Sequence, residues 1–391
     1  MEPGNWEFAA ALICPSGSDP KARLKTVLQK RLSREHVFFA PSARCAIAQL
    51  LSLLPQEEVV MPAFNCDVVK SAVEAAGKRI IYVDVARDGV NATSAEFDAA
   101  AKPGRILLIT HQFGVPTDVG AICELARERG CVTIEDAACC FGAMHCGRPL
   151  GTFADFGVFS FENWKRFAAF RGGAIVANQD RLFAPALLAQ KPFVGTTLKL
   201  PVREIISAFI RNVATTPSIY GRFVLPRLLN AYFEPLPPPP AEGSPPVTKG
   251  AAFTREFHPY QARLVLRMLG RMDRIRQHIA GLAAIYRRSF KNSRVTMLLS
   301  ETCDDGGLLR FPIAIQGQSR AELLRGALKR GIYLETEFEQ PLPPSSELAH
   351  FPHAVRAGAD TVLLPLYSTL SFADASWLAA EINQLAAVAS E

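Results

Sequence analysis

The chain has 391 residues, of which 49% are hydrophobic and 20% charged, enough to bury a large core with a smaller companion. The formal net charge is only +6, and no basic block is interleaved with aromatic residues, which argues against nucleic-acid binding. Nine cysteines at irregular spacing argue against a disulfide framework and a metal site, and favour a reduced, cytoplasmic chain. We also expect neither a membrane span nor a signal peptide.

Strand and helix patterns alternate through the first part of the chain. After a short apolar run at 36–40, the predicted strands are 57–64, 78–85, 105–114, 131–138, 157–161 and a strand that opens at Gly172-Gly173. The predicted helices between them are 41–54, 68–77, 93–101 and 118–130. This alternation favours a parallel α/β sheet, in which the chemistry collects at the carboxyl ends of the strands.

The second part of the chain is organised differently. Residues 203–233 are apolar and basic together, and they lead into the proline-rich connector EPLPPPPAEGSPPVTKG, which cannot form helix or sheet. A long helix is predicted at 256–290, followed by a smaller α+β unit built from LLRFPIAI, AELLRGALKRG and IYLETE, and by a final amphipathic helix. We therefore predict a large domain at 1–250, with an excursion at about 185–252, and a small domain at 251–391.

One lysine, Lys165, stands in the otherwise largely apolar stretch GVFSFENWKRFAAFRGGAIV. Such a lysine often packs its stem while its ammonium group reaches water. Asp136 ends an apolar strand earlier in the chain, where an acid is often a helix cap or lies in a solvated turn. Together, however, an amine and a carboxylate at neighbouring strand ends suit pyridoxal 5′-phosphate (PLP). The amine forms a Schiff base, and the carboxylate keeps the pyridine nitrogen protonated.

A phosphate site is predicted near the same strand ends. The hydroxyl of Ser160 can bond a phosphate oxygen, and the turn SARC opens a helix whose first N–H groups, those of Ala43 and Arg44, point at an anion. Each of these signals is weak alone, but together and in this order they point to a PLP site.

On these residues the chain resembles the DegT/DnrJ/EryC1/StrS family, which are PLP-dependent sugar aminotransferases of fold type I. The matching runs are SARCAI, VVMPAFNCDVVKSAVEAAGKRIIYVDV, HQFGVPTDVGAICELARERGCVTIEDAA, GTFADFGVFSFENWK with RGGAIV, HPYQARLVLRMLGRMD and LLPLYSTLS. They cover about 35–180 and 255–380, most of the chain. The resemblance implies a large, mainly parallel α/β domain and a smaller C-terminal α+β domain.

The resemblance also implies roles for individual residues. Lys165 aligns with the lysine that binds the cofactor and moves the proton, and Asp136 aligns with the partner of the pyridinium nitrogen. Ser160 aligns with the phosphate-binding serine, and Ala43-Arg44 with the phosphate-binding turn. His111 aligns with the strand-end histidine beside the ring. Cys66 aligns with the position that stacks on the ring, and Cys139 with the position near its O3′.

By the same resemblance, the reaction is a ping-pong transamination. The amino donor is glutamate or glutamine, and the acceptor is a keto-sugar, usually nucleotide-linked, in polysaccharide or natural-product synthesis. Relatives that replace the lysine with histidine run a dehydration, and the retained Lys165 disfavours that branch. A homodimer is expected, because the family builds each active site at the subunit interface.

Three departures from the family keep alternatives open. Cys66 stands where an aromatic is usual, Cys139 stands where Gln or His is usual, and FTREFHPYQ lacks the asparagine that reaches the phosphate of the neighbouring subunit. Another PLP reaction on an amino-acid-derived substrate (elimination, decarboxylation or cyclisation), or a catalytically silent relative, is the alternative. A nicotinamide oxidoreductase is disfavoured because no GxGxxG follows the first strand.

Several of these residues also have a purely structural interpretation. His111 can be satisfied by backbone at its strand end, and the cysteines can be small packing residues. The 203–233 segment can be an oligomer contact or an active-site lid, or it can make peripheral contact with a membrane surface.

Overall fold

The computed structural model describes residues 11, 19–177, 202–214, 216, 219–224, 256–291, 294–300, 303–336 and 340–388. The strands are β1 (His36–Ala40), β2 (Glu58–Pro62), β3 (Arg79–Val83), β4 (Arg105–Thr110), β5 (Val132–Asp136), β6 (Met144–His145), β7 (Arg148–Pro149), β8 (Phe156–Ser160), β9 (Gly173–Ala177), β10 (Val295–Met297), β11 (Phe311–Ile315) and β12 (Val362–Leu364). The helices are α1 (Pro20–Leu32), α2 (Ala43–Leu53), α3 (Asp67–Ala75), α4 (Ser94–Asp98), α5 (Val119–Glu128), α6 (Val202–Ala214), α7 (Pro259–Leu269), α8 (Met272–Phe290), α9 (Arg320–Lys329), α10 (Pro352–Asp360) and α11 (Phe372–Val388).

The main sheet has seven strands in the order β1-β9-β8-β5-β4-β2-β3. The run from β3 through β2, β4 and β5 to β8 is parallel, and β9 and β1 complete the sheet in antiparallel pairing. β5 and β8 are buried along their whole length, as expected of strands covered on both faces. The predicted mainly parallel α/β sheet is therefore confirmed.

The register of the parallel strands aligns the residues at their carboxyl ends. Thr110 at the end of β4 is the partner of Asp136 at the end of β5, and Asp136 is the partner of Val158 in β8. Residues that close these strands, or follow them directly, therefore meet at one edge of the sheet.

A second sheet of three antiparallel strands, in the order β10-β11-β12, packs with α8, α9, α10 and α11 around a separate core. The predicted strand in LLRFPIAI is confirmed as β11. The sequence IYLETE, by contrast, makes only an isolated bridge from Glu335 to Leu363 in the part of the chain that the structure describes. The division of the chain at 250/251 falls outside the described residues, and the two-domain division stays a prediction.

The single long helix predicted at 256–290 is wrong, because the chain breaks into α7 and α8 around Gly270 and Arg271. Glycine is the costliest helix residue after proline. The two helices also serve different cores: α7 packs against α1 in the core beside the main sheet, and α8 packs into the core of the second sheet. The break lets the chain pass from one core to the other.

Most of the predicted 185–252 excursion lies outside the described residues. Within it, α6 buries Ala208 and leaves Ile206, Phe209 and Ile210 more than half exposed. No helix among the described residues has the length and apolar character that crossing a bilayer requires.

Candidate active site

A cavity of about 270 Å³ opens at the carboxyl ends of β2, β4, β5 and β8, beside the N-terminus of α2. Every residue that the sequence predicted for the site lines it: Ala43, Arg44, Cys66, His111, Asp136, Cys139, Ser160 and Lys165. The structure thus brings together residues from distant segments of the chain, although their roles stay predictions.

Lys165 lies in the loop that follows β8 and is half-buried. Its Nζ lies 3.1 Å from the Sγ of Cys139. The next residue, Arg166, is buried and donates hydrogen bonds to the carbonyl of Gly306, at 2.6 Å, and to that of Leu308. Burial lowers the pKa of Arg166 to about 10. The lysine therefore sits beside a residue that is fixed to the loop preceding β11.

Asp136 faces the cavity at the end of β5 and is only 8% exposed. Its Oδ1 accepts a hydrogen bond from the backbone N–H of Ala138 at 3.0 Å. Burial raises the pKa of this carboxyl above its usual range, although the hydrogen bond from Ala138 and the charge of Lys165 oppose that effect. A positive charge brought into the cavity next to Asp136 would favour the ionised carboxylate.

Glu135 precedes Asp136 and lies on the opposite face of β5. It accepts hydrogen bonds from the N–H of Gly151 at 2.5 Å, the N–H of Phe153 at 2.8 Å and the Nε2 of His111 at 3.0 Å. Burial alone would raise the pKa of Glu135, but the bonds from His111 and the two backbone N–H groups together hold it below the ordinary value. Glu135 is therefore a buried structural carboxylate.

The hydrogen bonds of His111 define its tautomer. Its Nδ1 accepts from the backbone N–H of Thr117 at 3.2 Å, so Nε2 carries the proton that is donated to Glu135. Both ring nitrogens are thus engaged, as the structural interpretation of this histidine requires. The residue also lines the cavity, so it can present its ring to a bound ligand.

The N-terminus of α2 forms one end of the cavity. Ser42 caps the helix through its Oγ, which accepts from the N–H of Cys45 at 3.2 Å and leaves the N–H groups of Ala43 and Arg44 at the exposed first turn. Gly173 in β9 permits this arrangement: a Cβ there would lie 2.7 Å from the backbone nitrogen of Ala43. A helix N-terminus and the hydroxyl of Ser160 line the same cavity and could together hold an anion.

The two cysteines at ring-facing positions have different surroundings. Burial raises the pKa of Cys66 to about 11, so its thiol is neutral near pH 7 and packs as a small apolar group. Cys139 instead contacts the amine of Lys165. The aromatic rings in the lining are those of His111 and of Trp164, which is 64% exposed at the cavity mouth.

The lining residues that the sequence did not predict include Asn65, Thr110 and Gln112. The Nδ2 of Asn65, the Oγ1 of Thr110 and the Nε of Arg44 are buried and have no hydrogen-bond partner within the described part of the chain. The position of Thr110, directly before His111 at a strand end, was a usable signal, whereas nothing in the sequence marked Asn65. Buried polar atoms are usually hydrogen-bonded, so three such atoms without a partner in the lining of one cavity suit a polar ligand.

Residues 22–192 match the DegT/DnrJ/EryC1/StrS aminotransferase family. The resemblance to this family is confirmed. The chain is similar to a dTDP-4-dehydro-2,3,6-trideoxy-D-glucose 4-aminotransferase from Saccharopolyspora spinosa, with 32% identity over 38% of this chain and 40% of that protein. It is also similar to a UDP-N-acetyl-3-dehydro-α-D-glucosamine 3-aminotransferase from Acidithiobacillus ferrooxidans, with 34% identity over 33% of this chain and 36% of that protein. The alignments thus span about two fifths of these relatives, or less.

Solved structures extend the fold of the DegT/DnrJ/EryC1/StrS family to nearly the whole chain. The aminotransferase TlmJ from Streptoalloteichus hindustanus is similar with a TM-score of 0.72 and 22% identity, over 99% of this chain and 96% of that one. Spr1654 from Streptococcus pneumoniae, in its PLP form, is similar with a TM-score of 0.72 and 18% identity, over 99% and 96% of the two chains. The fold is that of fold type I PLP-dependent aminotransferases, as predicted.

Proposed function

We propose that the protein is a PLP-dependent aminotransferase that transfers an amino group from an amino acid, glutamate or glutamine, to a nucleotide-linked keto-sugar in a biosynthetic pathway. The observation that carries the proposal is the lining of the cavity, where an amine, a buried carboxylate and a helix N-terminus from separate segments face one space. The names of the sequence relatives, which act on dTDP- and UDP-linked sugars, support this substrate class.

The residues present fit PLP group by group. The N–H groups of Ala43 and Arg44, with the hydroxyl of Ser160, would hold the phosphate, and Asp136 would hold the pyridine nitrogen. The amine of Lys165 would hold the aldehyde end. The unsatisfied polar atoms in the lining are accounted for if a polar ligand fills the cavity.

When bound, PLP supplies an aldehyde that exchanges amines and a ring that accepts electrons. Asp136 would keep the pyridine nitrogen protonated, and its burial would strengthen the attraction because the local dielectric is low. As a neutral amine, Lys165 Nζ would accept a proton from the α-carbon of the amino donor. Arg166, held by the carbonyls of Gly306 and Leu308, anchors the residue next to Lys165.

The test is a spectroscopic titration of the purified protein. PLP should acquire the visible absorbance of an amine-bound aldehyde. Glutamate or glutamine should then convert it to the pyridoxamine form, and a nucleotide keto-sugar should restore the original spectrum. Absence of any visible band with saturating PLP contradicts the proposal. Omitting the donor is the matched control, since a keto-sugar alone should leave the spectrum unchanged.

A different PLP reaction is the second candidate, and the ring-facing wall favours it. Cys139 contacts the amine of Lys165, and the neutral thiol of Cys66 stands where family members stack an aromatic. Product analysis separates the candidates. An aminotransferase returns the keto acid of its donor with the carbon skeleton intact, whereas a decarboxylase releases CO2 and an eliminase releases the leaving group. A catalytically silent relative gives no product in any of these assays.

We infer a cytoplasmic homodimer, with α6 in the contact between its subunits. No disulfide joins cysteines among the described residues, in agreement with a reducing compartment. Ile206, Phe209 and Ile210 form an exposed apolar stripe on α6, which a second copy of the chain would cover. Ile206→Glu should shift the dimer towards monomer in sedimentation. If the dimer persists and wild-type protein instead co-sediments with liposomes, peripheral membrane contact is the role of this helix.

A further inference from the structure

Asn65 has an amide group whose two ends are in different situations. The side chain is only 2% exposed, and the residue lines the cavity. Its Oδ1 accepts hydrogen bonds from the backbone N–H of Cys66 at 2.8 Å and from the Nε2 of Gln112 at 3.0 Å. Its Nδ2 has no hydrogen-bond partner within the described residues.

The orientation of this amide is determined by its surroundings. Turning it over would place the NH2 group of Asn65 against two donors, the N–H of Cys66 and the NH2 of Gln112, and would lose both bonds. Gln112 is itself fixed, because its Nε2 also donates to the carbonyl of Phe64 at 3.2 Å and its backbone N–H donates to Asn91 Oδ1 at 2.8 Å. The donor end of Asn65 is therefore held in one direction.

A buried donor that is oriented but not satisfied is costly, and it persists where a ligand completes the bond. We propose that Asn65 Nδ2 donates a hydrogen bond to an oxygen or other acceptor of the molecule bound in this cavity, and that Gln112 is the positioning residue that aims it. This inference rests on the proposed function, because it takes the ligand to be PLP or the substrate bound with it. The acceptor chemistry is the same in both cases.

Asn65 adds an oriented donor to a lining that also contains two thiols. These belong to Cys66 and Cys139, and a thiol is a much weaker donor than an amide. A fixed amide beside Cys66 therefore gives this cavity a strong donor.

Two substitutions remove the donor in different ways. Asn65→Asp keeps an oxygen for the N–H of Cys66 and for Gln112 but replaces the NH2 group with a second oxygen. Asn65→Leu removes the donor without adding charge. Both should weaken the bound ligand about tenfold, the effect of one lost hydrogen bond. Gln112→Met keeps the NH2 group of Asn65 but removes the hydrogen bond that orients it, and it should have a smaller effect.

The measurement has two arms. The first is the PLP dissociation constant, and the pH dependence of its visible absorbance, in the absence of substrate. The second is the KM for the keto-sugar, with kcat measured alongside it, at saturating PLP. A change in the first arm assigns the acceptor to the cofactor, and a change confined to KM assigns it to the substrate. Melting temperatures of the apoproteins confirm that the variants fold.

Unchanged values in both arms for Asn65→Asp and Asn65→Leu overturn the inference while leaving the aminotransferase proposal intact. A wild-type protein that gives no visible absorbance with PLP overturns both. If Asn65 had a structural role alone, its variants would melt at a lower temperature. The pH titration of the bound chromophore and the ratio of KM to kcat would then stay unchanged.

Discussion

The two carboxylates that end β5 lie one residue apart in opposite surroundings. Glu135 accepts bonds from His111 and two backbone N–H groups, and these hold its pKa low despite burial. Asp136 is also buried, accepts a bond from Ala138 and has a raised pKa. Glu135 lies on the face of β5 where its carboxylate is fully hydrogen-bonded. Asp136 lies on the face that lines the cavity, where several polar atoms of the described residues have no hydrogen-bond partner. We therefore expect the hydrogen bonds of Glu135 to stabilise the fold, and the side of β5 that carries Asp136 to contact a ligand.

The largest effect is expected for Lys165→Ala, which removes the amine from the cavity. Turnover should fall by at least about a thousandfold, because the variant loses both the covalent attachment and the proton carrier. Stability should change little, by less than about 1 kcal/mol, because the side chain is half-buried. Stopped-flow spectra and urea unfolding measure the two quantities. Lys165→Arg is the control that keeps the charge, and near-normal turnover in the alanine variant would refute the assignment.

Glu135→Gln tests the satisfied side of the strand and should destabilise the protein by about 3 kcal/mol. The new NH2 group faces a backbone donor, and His111 loses its charged acceptor. Because the folded pKa of Glu135 is depressed, its contribution is present above the ordinary glutamate pKa and is lost as the pH falls through the folded value. The difference in urea midpoint should therefore shrink on acidification. Glu128→Gln, on an exposed position of α5, should stay within about 0.5 kcal/mol of wild type.

Gly173→Ala should cost about 2 kcal/mol and weaken PLP binding as well. The added Cβ would approach the nitrogen of Ala43, the carbonyl carbon of Ser42 and the oxygen of Phe159 to within 2.7–2.9 Å, and backbone atoms cannot move aside cheaply. Displacing the N-terminus of α2 would also displace the proposed phosphate site. Gly120→Ala is the control, since nothing lies within 4 Å of its Cβ. Equal stability and PLP affinity for the two variants would contradict this account.

The smallest effect, and one of opposite sign, is expected for Asp136→Asn in the apoprotein. The folded state raises the pKa of this carboxyl, so its burial reduces stability as the pH rises from the ordinary aspartate range through the folded value. The amide has no such titration and should stabilise the apoprotein by up to about 1 kcal/mol at neutral pH. The gain should grow with pH across that window and then level off. Urea unfolding over a pH series measures it, and a loss of stability would reverse the interpretation.

Much of the site could be predicted because its residues follow strands. Lys165, Asp136, Ser160 and His111 come at or after strand ends, and the carboxyl ends of parallel strands meet at one edge of the sheet. Asn65 could not be predicted, since its role depends on which of its two amide atoms is already bonded, and that is a property of the tertiary contacts with Gln112. The different hydrogen bonding of Glu135 and Asp136 could not be predicted either, because it too depends on tertiary contacts.

The fold, like the site, could be predicted only where the signal is local in the sequence. The alternation of β1 to β5 with helices was readable because each element carries its own hydrophobic pattern. The break between α7 and α8 was not, because both helices are amphipathic and the sequence does not say that they pack on different cores. Gly270 was the only local signal, and a glycine inside a helical pattern is often tolerated.

The hydrogen bonds from Arg166 to Gly306 and Leu308 limit where this protein can be truncated. The neighbour of the reactive amine is fastened to peptide groups encoded about 140 positions later. A fragment that ends before them would retain the main sheet and the helix N-terminus, but its lysine would lose the support of that loop. We therefore expect an active fragment to extend beyond Leu308, so that it includes the loop that supports the residue next to Lys165.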